Sequence, residues 1–471
     1  MPGKFKIVVS DLHLSAGREA EGNPLDDFGS DQEFADLLGQ VAAESERDGK
    51  EVELILNGDA FEMLQVPHVA VFDPLKVYPP GDYHSSSEPD SALKMGHIID
   101  GHPAFFDALR AFLQVGPPRR SVTFIKGNHD LNLHWPAVQD RIRAAMGATG
   151  AKAPLLTFEE RRISREGIYV EHGNQYAEAV DRIKDMEEPH DHDDPGQLAI
   201  PLGSWFVMDV FNEVERDKYW IDGVKPITAL VWYALKYDFP FAARAIVTLA
   251  SRLPGIIKEG LFDVEETRAE ALARHLEDPQ LVEALAARYE ADPAFREQFN
   301  ADVADILAPT PDLPGPVDAV PLAAVADPEA MGAKIQARAN SSLFQIAGQR
   351  AAEEGVKLVT FGHTHDASVE DLPGGGVYIN SGTWTWRVDL TGAGQDYWKN
   401  LFEQPELFTN DRLLNYVRID YDAAGEPHGQ LLVYAPSPAP SPLPEEPADE
   451  GDQKQLSLWE RFLAWLRGLF G

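Results

Sequence analysis

Apolar runs in this chain stop at polar clusters, and they do so five times. Residues 5–10 are rich in β-branched side chains, read as a strand, and stop at Asp11-Leu12-His13. Residues 51–56 read as a second strand and stop at Asn57-Gly58-Asp59-Ala60-Phe61-Glu62. Residues 122–125 read as a buried strand leading into Lys126-Gly127-Asn128-His129-Asp130. A hairpin over 163–170, turning at Glu166-Gly167, leads to His172-Gly173-Asn174. A strand over 356–361 precedes Gly362-His363-Thr364-His365. Strands are also expected at 377–380, 414–419 and 430–433. Between these runs the apolar period becomes helical. Phe34, Leu37, Leu38 and Val41 predict a helix after Ser30 to about residue 46, and two more are expected at 103–115 and 135–146. Residues 66–96, with Pro, Gly and Ser, read as a long polar loop.

Residues 176–335 break this rhythm and read as a helical insertion. It begins with an acidic stretch, His190-Asp191-His192-Asp193-Asp194, which is either a metal-binding group or a solvated loop. Apolar helices follow, one around Trp205 to Phe211 and one over 227–249; Lys236, Asp238 and Pro240 interrupt the second, so it is no membrane span. Asp278-Pro279, Asp292-Pro293 and Asp327-Pro328 each read as a helix start. Residues 309–321 read as a Pro-rich linker, and a helix over 328–354 returns to the core. The insertion reads either as a lid or as a helical subdomain with its own core. The expected organisation is therefore a first core segment (1–175), the insertion (176–335), a second core segment (336–435), a Pro- and acid-rich linker (436–455) and an amphipathic helix (456–471). That last helix suits either a membrane surface or a groove of its own domain.

Composition narrows the chemistry. With no cysteine among 471 residues, disulfides, thiolate metal sites and thiol nucleophiles are excluded. A formal net charge of −36 argues against a long nucleic acid as partner, though not against a mononucleotide. No signal peptide is read at the N-terminus, and the expected location is cytoplasmic, with peripheral membrane contact through the last helix as the alternative.

The five clusters supply Asp11, His13, Asp59, Asn128, His172, His363 and His365, together with His129 as an acid or charge-stabilising group. On an extended backbone, D-x-H and H-x-H each place two donors on one side. Seven oxygen and nitrogen donors suit two divalent cations with one carboxylate bridging, for which Asp59 is the natural candidate. Mn, Fe and Zn are all compatible with these donors. Such a pair clamps an in-line displacement and yields hydroxide at neutral pH.

This ordered set resembles the calcineurin-like metallophosphoesterase superfamily over roughly residues 5–175 and 355–390. The resemblance implies a fold of α/β (α+β) class, a four-layer α/β/β/α sandwich here carrying a large helical insertion. It implies that Asp11, His13, Asp59 and His365 hold one metal and that Asp59, Asn128, His172 and His363 hold the other. It makes His129 the catalytic histidine and Glu62 its carboxylate partner, with Asp130 as the alternative. Asp11-Leu12-His13-Leu14 and Gly58-Asp59-Ala60-Phe61-Glu62 look like the UDP-2,3-diacylglucosamine hydrolase group, although His129 stands where that group usually carries arginine. The expected function is hydrolysis of a phosphoester or pyrophosphate bond, with a lipid-linked substrate by that analogy. The alternatives are a soluble nucleotide phosphodiesterase or nuclease, and a non-catalytic scaffold of the same fold.

Overall fold

A computed structural model describes residues 3–17, 22–177, 181–225, 227–245, 279–297, 299–300, 328–390, 393–409 and 412–436. Those up to Ala435 belong to one compact unit. The linker expected at 309–321 and, beyond Pro436, the expected linker and C-terminal helix lie outside the described residues.

The apolar runs become strands of two sheets, numbered here in chain order. In the first sheet β1 (Lys4–Val9), β2 (Glu51–Asn57), β3 (Arg120–Ile125) and β4 (Leu156–Glu159) are parallel neighbours in that order. On the other side of β1 lie β12 (Asn415–Tyr421), antiparallel to it, and then β13 (Pro427–Val433). The second sheet has the order β5 (Arg162–Arg165), β6 (Ile168–Glu171), β8 (Leu358–Phe361), β10 (Val377–Asn380), β9 (Ser368–Asp371). Its three inner strands are parallel. The hairpin of β5 and β6 turns at Glu166 and Gly167, both at positive φ, as a two-residue hairpin requires.

Strands buried on both faces need continuous apolar runs rather than alternation. Val8, Ile55, Ile125, Val417 and Ile419 of the first sheet meet Ile163, Ile168, Val170, Leu358 and Ile379 of the second. The opposite face of the first sheet, with Ile7, Val9, Leu54, Leu56, Val122 and Phe124, packs on helices Asp31–Asp48 and Pro103–Phe112. The opposite face of the second sheet, with Tyr169, Val359, Phe361 and Tyr378, packs on Leu343 and Ala347 of helix Pro328–Glu354. The fold is of the mixed α/β class.

The loop expected at 66–96 ends early, because helix Glu88–Gly101 starts inside it. Its signal is Ser87-Glu88-Pro89-Asp90: the Ser87 hydroxyl accepts the backbone N–H of Asp90, and a proline occupies the first turn. In the insertion the Asp-Pro starts at 278–279 and 327–328 open helices Pro279–Ala291 and Pro328–Glu354. Among the described residues its core is shared with a later segment. Trp220, Leu230, Leu235 and Phe239 cluster with Val388, Trp398 and Leu401 from the far end of the chain. β7 (Val224–Lys225) pairs in parallel with β11 (Val388–Asp389), which ties the insertion to the segment that follows β10. Among the described residues no helix is long and apolar enough to cross a membrane.

Candidate metal centre

The parallel strands β1, β2, β3, β6 and β8 all release their polar clusters at their C-terminal ends, where open α/β sheets gather ligands. The clusters converge there. Asp11, His13 and His365 form one group whose ligand atoms lie within 4.8 Å of one another; Asp59, His172 and His363 form a second. His13 Nε2 lies 3.2 Å from His365 Nε2, and His365 Nε2 lies 3.3 Å from Asp11 Oδ1. His172 Nε2 approaches Asp59 Oδ2 to 2.9 Å. Asp11, Asp59 and His172 are at most 1% exposed.

The backbone differs from the expected extended form. Asp11, His13, Asp59, His363 and His365 all have positive φ, between 49° and 69°. Left-handed residues on either side of Leu12 and of Thr364 fold each tripeptide into a tight turn. Both of its outer side chains then aim inward, a convergence that strand alternation does not provide. Each such residue costs about 1–3 kcal/mol, a strain that the surrounding structure must offset. The offset is visible around Asp11. Its carboxylate accepts from Ser10 Oγ and from the N–H of His363, and its carbonyl accepts from Thr383 Oγ1 and the N–H of Trp384.

Two glycines make room for the side chains. A Cβ on Gly58, itself at φ +79°, would stand 2.4 Å from the His172 ring, and one on Gly127 would stand 2.1 Å from Asp59 Oδ1. The motif glycines are thus passages for the side chains of neighbouring clusters.

Hydrogen bonds on the far ring nitrogens fix which nitrogen faces inward. His172 Nδ1 donates to the carbonyl of Asn57 (3.0 Å), and His13 Nδ1 to Glu62 Oε2 (2.7 Å). Each is left with Nε2 as its inward atom, the arrangement typical of metal-binding histidines. Asn128 Oδ1 is buried without a hydrogen-bond partner, and His172 Nε2 meets only the Asp59 carboxylate. An orphan amide oxygen, paired imidazole nitrogens and two buried carboxylates fit divalent cations well. The third group with metal-like spacing, His13, Glu62 and His129, reads differently, because both histidines present Nδ1 to one carboxylate oxygen.

His129 Nδ1 lies 2.5 Å from Glu62 Oε2, and its backbone N–H donates to Asp59. Burial works against charge on His129, but the charges of Glu62 and Asp59 raise it to about 10. Burial likewise opposes charge on Glu62, yet His129 and then His13 pull it down to about 2. Asp130 is not the partner of His129. Its oxygens accept the N–H groups of Ala60, Phe61 and Gly127, so it fastens one motif to another. Burial and then Asp59 push Asp130 up to about 7.

The centre opens into a cleft whose far wall comes from the insertion: Asp181, Val207, Phe211, Glu215, Asp222 and Lys225. Val207, Phe211 and Glu215 share a face across the π-helical turn Val207–Phe211. Asp27 from the loop after β1 joins this wall. Burial, then the neighbouring Asp222, pushes both Asp27 and Glu215 well above the usual carboxyl range. Sequence pattern gave no signal for these groups, since each is one acid among many in an acidic chain. In sequence comparisons no family model and no curated protein matches the chain.

Proposed function

We propose that the chain is a metal-dependent hydrolase of phosphoester or pyrophosphate bonds. The observation that carries this reading is the division of the buried donors into two groups, Asp11/His13/His365 and Asp59/His172/His363, beside a hydrogen-bonded His129–Glu62 pair. Asp11, His13 and His365 would hold one cation, and His172, His363 and Asn128 the other, with Asp59 between them. Two such cations polarise a phosphoryl oxygen and lower the pKa of water. The helix–sheet–sheet–helix packing supports the four-layer metallophosphoesterase sandwich as the finer description of the fold.

The chain's own residues supply the rest. Glu62 holds the Nδ1 side of His129, leaving Nε2 to the cleft. Glu62 against Nδ1 favours the protonated ring. Its Nε2 proton goes to the departing oxygen as the old P–O bond breaks, while water forms the new P–O bond and releases a proton to solvent. Glu62 also orients His13, so one carboxylate sets both the acid and a metal donor.

The cleft wall favours a soluble substrate over a lipid-linked one. Among the described residues it offers Val207, Phe211 and Ala339 against Gln65, Asp27, Asp181, Glu215, Asp222 and Lys225. Protonated carboxyls donate hydrogen bonds and ionised ones accept them, so the wall suits hydroxyl groups on the non-reacting half of a small ester. A long polyanion would be repelled.

The test is to strip metals, restore Mn, Fe, Zn or Mg singly, and follow an aryl phosphodiester and an aryl phosphomonoester, with Asp59→Asn in parallel. Metal-restored turnover absent from Asp59→Asn is expected. No metal uptake and no turnover would leave the scaffold alternative.

A further inference from the structure

A second pair of imidazoles faces itself away from the cleft. His134 closes the 3-10 turn Leu131–His134, directly after the cluster that ends β3. His190, in the acidic stretch of the insertion, comes to meet it: the two Nε2 atoms are 3.4 Å apart and the rings nearly perpendicular. Glu188 Oε2 lies 3.7 Å from His190 Nε2, and one ligand atom from each of the three residues falls within 4.8 Å of the others.

The remaining nitrogens decide what this contact is. His190 Nδ1 lies 3.1 Å from the carbonyl of Pro195, which only accepts, so Nδ1 carries the proton and Nε2 of the neutral ring is a lone pair. His134 Nδ1 is buried, has no hydrogen bond, and lies 3.5 Å from Glu160 Oε2. If His134 donated from Nε2 to His190, its Nδ1 lone pair would face that carboxylate. If Nδ1 holds the proton instead, two Nε2 lone pairs face each other. An imidazolium would satisfy this contact with one extra proton, but Glu188 Oε2, 3.7 Å from His190 Nε2, adds a third donor that suits a cation. A cation between the nitrogens resolves the conflict. Tetrahedral metal–nitrogen bonds of about 2.0–2.1 Å put two imidazole nitrogens ~3.4 Å apart.

We propose that His134, His190 and Glu188 bind a further divalent cation of zinc type, with water as the fourth ligand. Glu160, 3.5 Å from His134 Nδ1 and paired with Lys126, is the outer carboxylate that would take the Nδ1–H of the metal-bound ring. Asp191 takes no part, because its Oδ1 accepts the N–H groups of Asp193 and Asp194. The loop is already placed on either side of His190. Lys126 Nζ donates to the carbonyl of Met186 (2.7 Å), and Ser86 bonds Gln197 and Leu198. The cation clips the tip of this loop to the end of β3. The site is independent of the hydrolase reading, since it shares no residue with the cleft.

The experiment uses the full chain, stripped by chelator and titrated with Co²⁺, comparing wild type with His190→Ala and Glu160→Gln. Any signal from the cleft centre is common to all three and subtracts. The expected result is one bound ion fewer per chain in His190→Ala, with the intense visible band of tetrahedral Co²⁺ lost. Trp135, whose ring centre is 5.5 Å from His134 and 5.3 Å from His190, should lose its quenching in the same variant. Glu160→Gln should bind about 10–100-fold more weakly. His190 is about a third exposed on a loop, so its removal leaves the core intact; circular dichroism checks this. Equal stoichiometry and equal spectra in wild type and His190→Ala would overturn the proposal.

Discussion

His13/His365 and His134/His190 present nearly the same contact, two ring nitrogens 3.2 and 3.4 Å apart, but the chain reaches it by opposite means. At His13 and His365 both backbones are left-handed, and both residues sit in tight turns that directly follow sheet strands, β1 and β8. His134 and His190 have no such strain and sit on a short turn and a loop. Rigid strand ends leave a side chain only one way to turn inward, so strain appears in the backbone. A loop adapts its path instead. Strained residues among ordinary ones therefore mark where the fold, rather than a loop, dictates geometry.

The most severe break of this comparison is Gly127→Ala. A Cβ 2.1 Å from Asp59 Oδ1 leaves the rigid site nowhere to retreat. Metal content of the cleft centre should fall by two ions, and hydrolysis should drop below detection. Retention of both ions after this change would show that the strand ends are softer than their geometry implies.

Next comes His129→Ala, which removes a proton donor without touching the proposed cation ligands. Turnover should fall about 10²–10⁴-fold with metal content unchanged. Glu62→Gln should do both things, slowing turnover and weakening the cation beside His13, because both histidines share that carboxylate.

A further buried imidazole sharpens the contrast, since His102 faces carboxylates instead of another ring. It lies 3.0 Å from Asp31 and 3.5 Å from Asp26. Burial opposes its charge, but Asp26 and then Asp31 raise it to about 10. A raised folded-state pKa stabilises fully below the unfolded value, roughly 6.5, and the gain is lost as pH climbs toward 10. The stability difference between wild type and His102→Gln, from denaturant unfolding, should be a few kcal/mol at pH 6 and shrink steadily to pH 10. A difference independent of pH would mean that His102 acts by packing alone. The smallest effect sets a baseline outside all three imidazole groups: Ser87→Ala, which removes a helix cap, should cost about 1 kcal/mol and no metal.

Much of this arrangement was legible in the sequence because burial on both faces forces continuous apolar runs, and those runs mark β1, β2, β3 and β8 without ambiguity. The donors were legible because glycine, histidine and carboxylate at strand ends have little other use. The left-handed turns were not. Nothing in Asp11-Leu12-His13 distinguishes a tight turn from an extended strand, because the turn is held by Thr383 and the N–H of His363, more than 350 residues away. Helix Glu88–Gly101 was hidden behind serines and a proline that suit a loop as well as a cap. The acidic wall of the cleft was invisible for a statistical reason: with 77 acidic residues, no single Asp or Glu stands out.

The pairing of β1 with β12 has a consequence for synthesis. Phe5 finds its parallel partner at Val52, but its antiparallel partner at Asp420 leaves the ribosome 415 residues after Phe5 itself. At 5–20 residues per second that is roughly 20–80 s during which the open edge of a very apolar strand awaits its cover. An unpaired edge of this kind is a template for intermolecular pairing. The nascent chain is therefore a natural client for chaperones that shield strand edges. Truncated forms ending before residue 415 should aggregate through β1 and not merely lack activity.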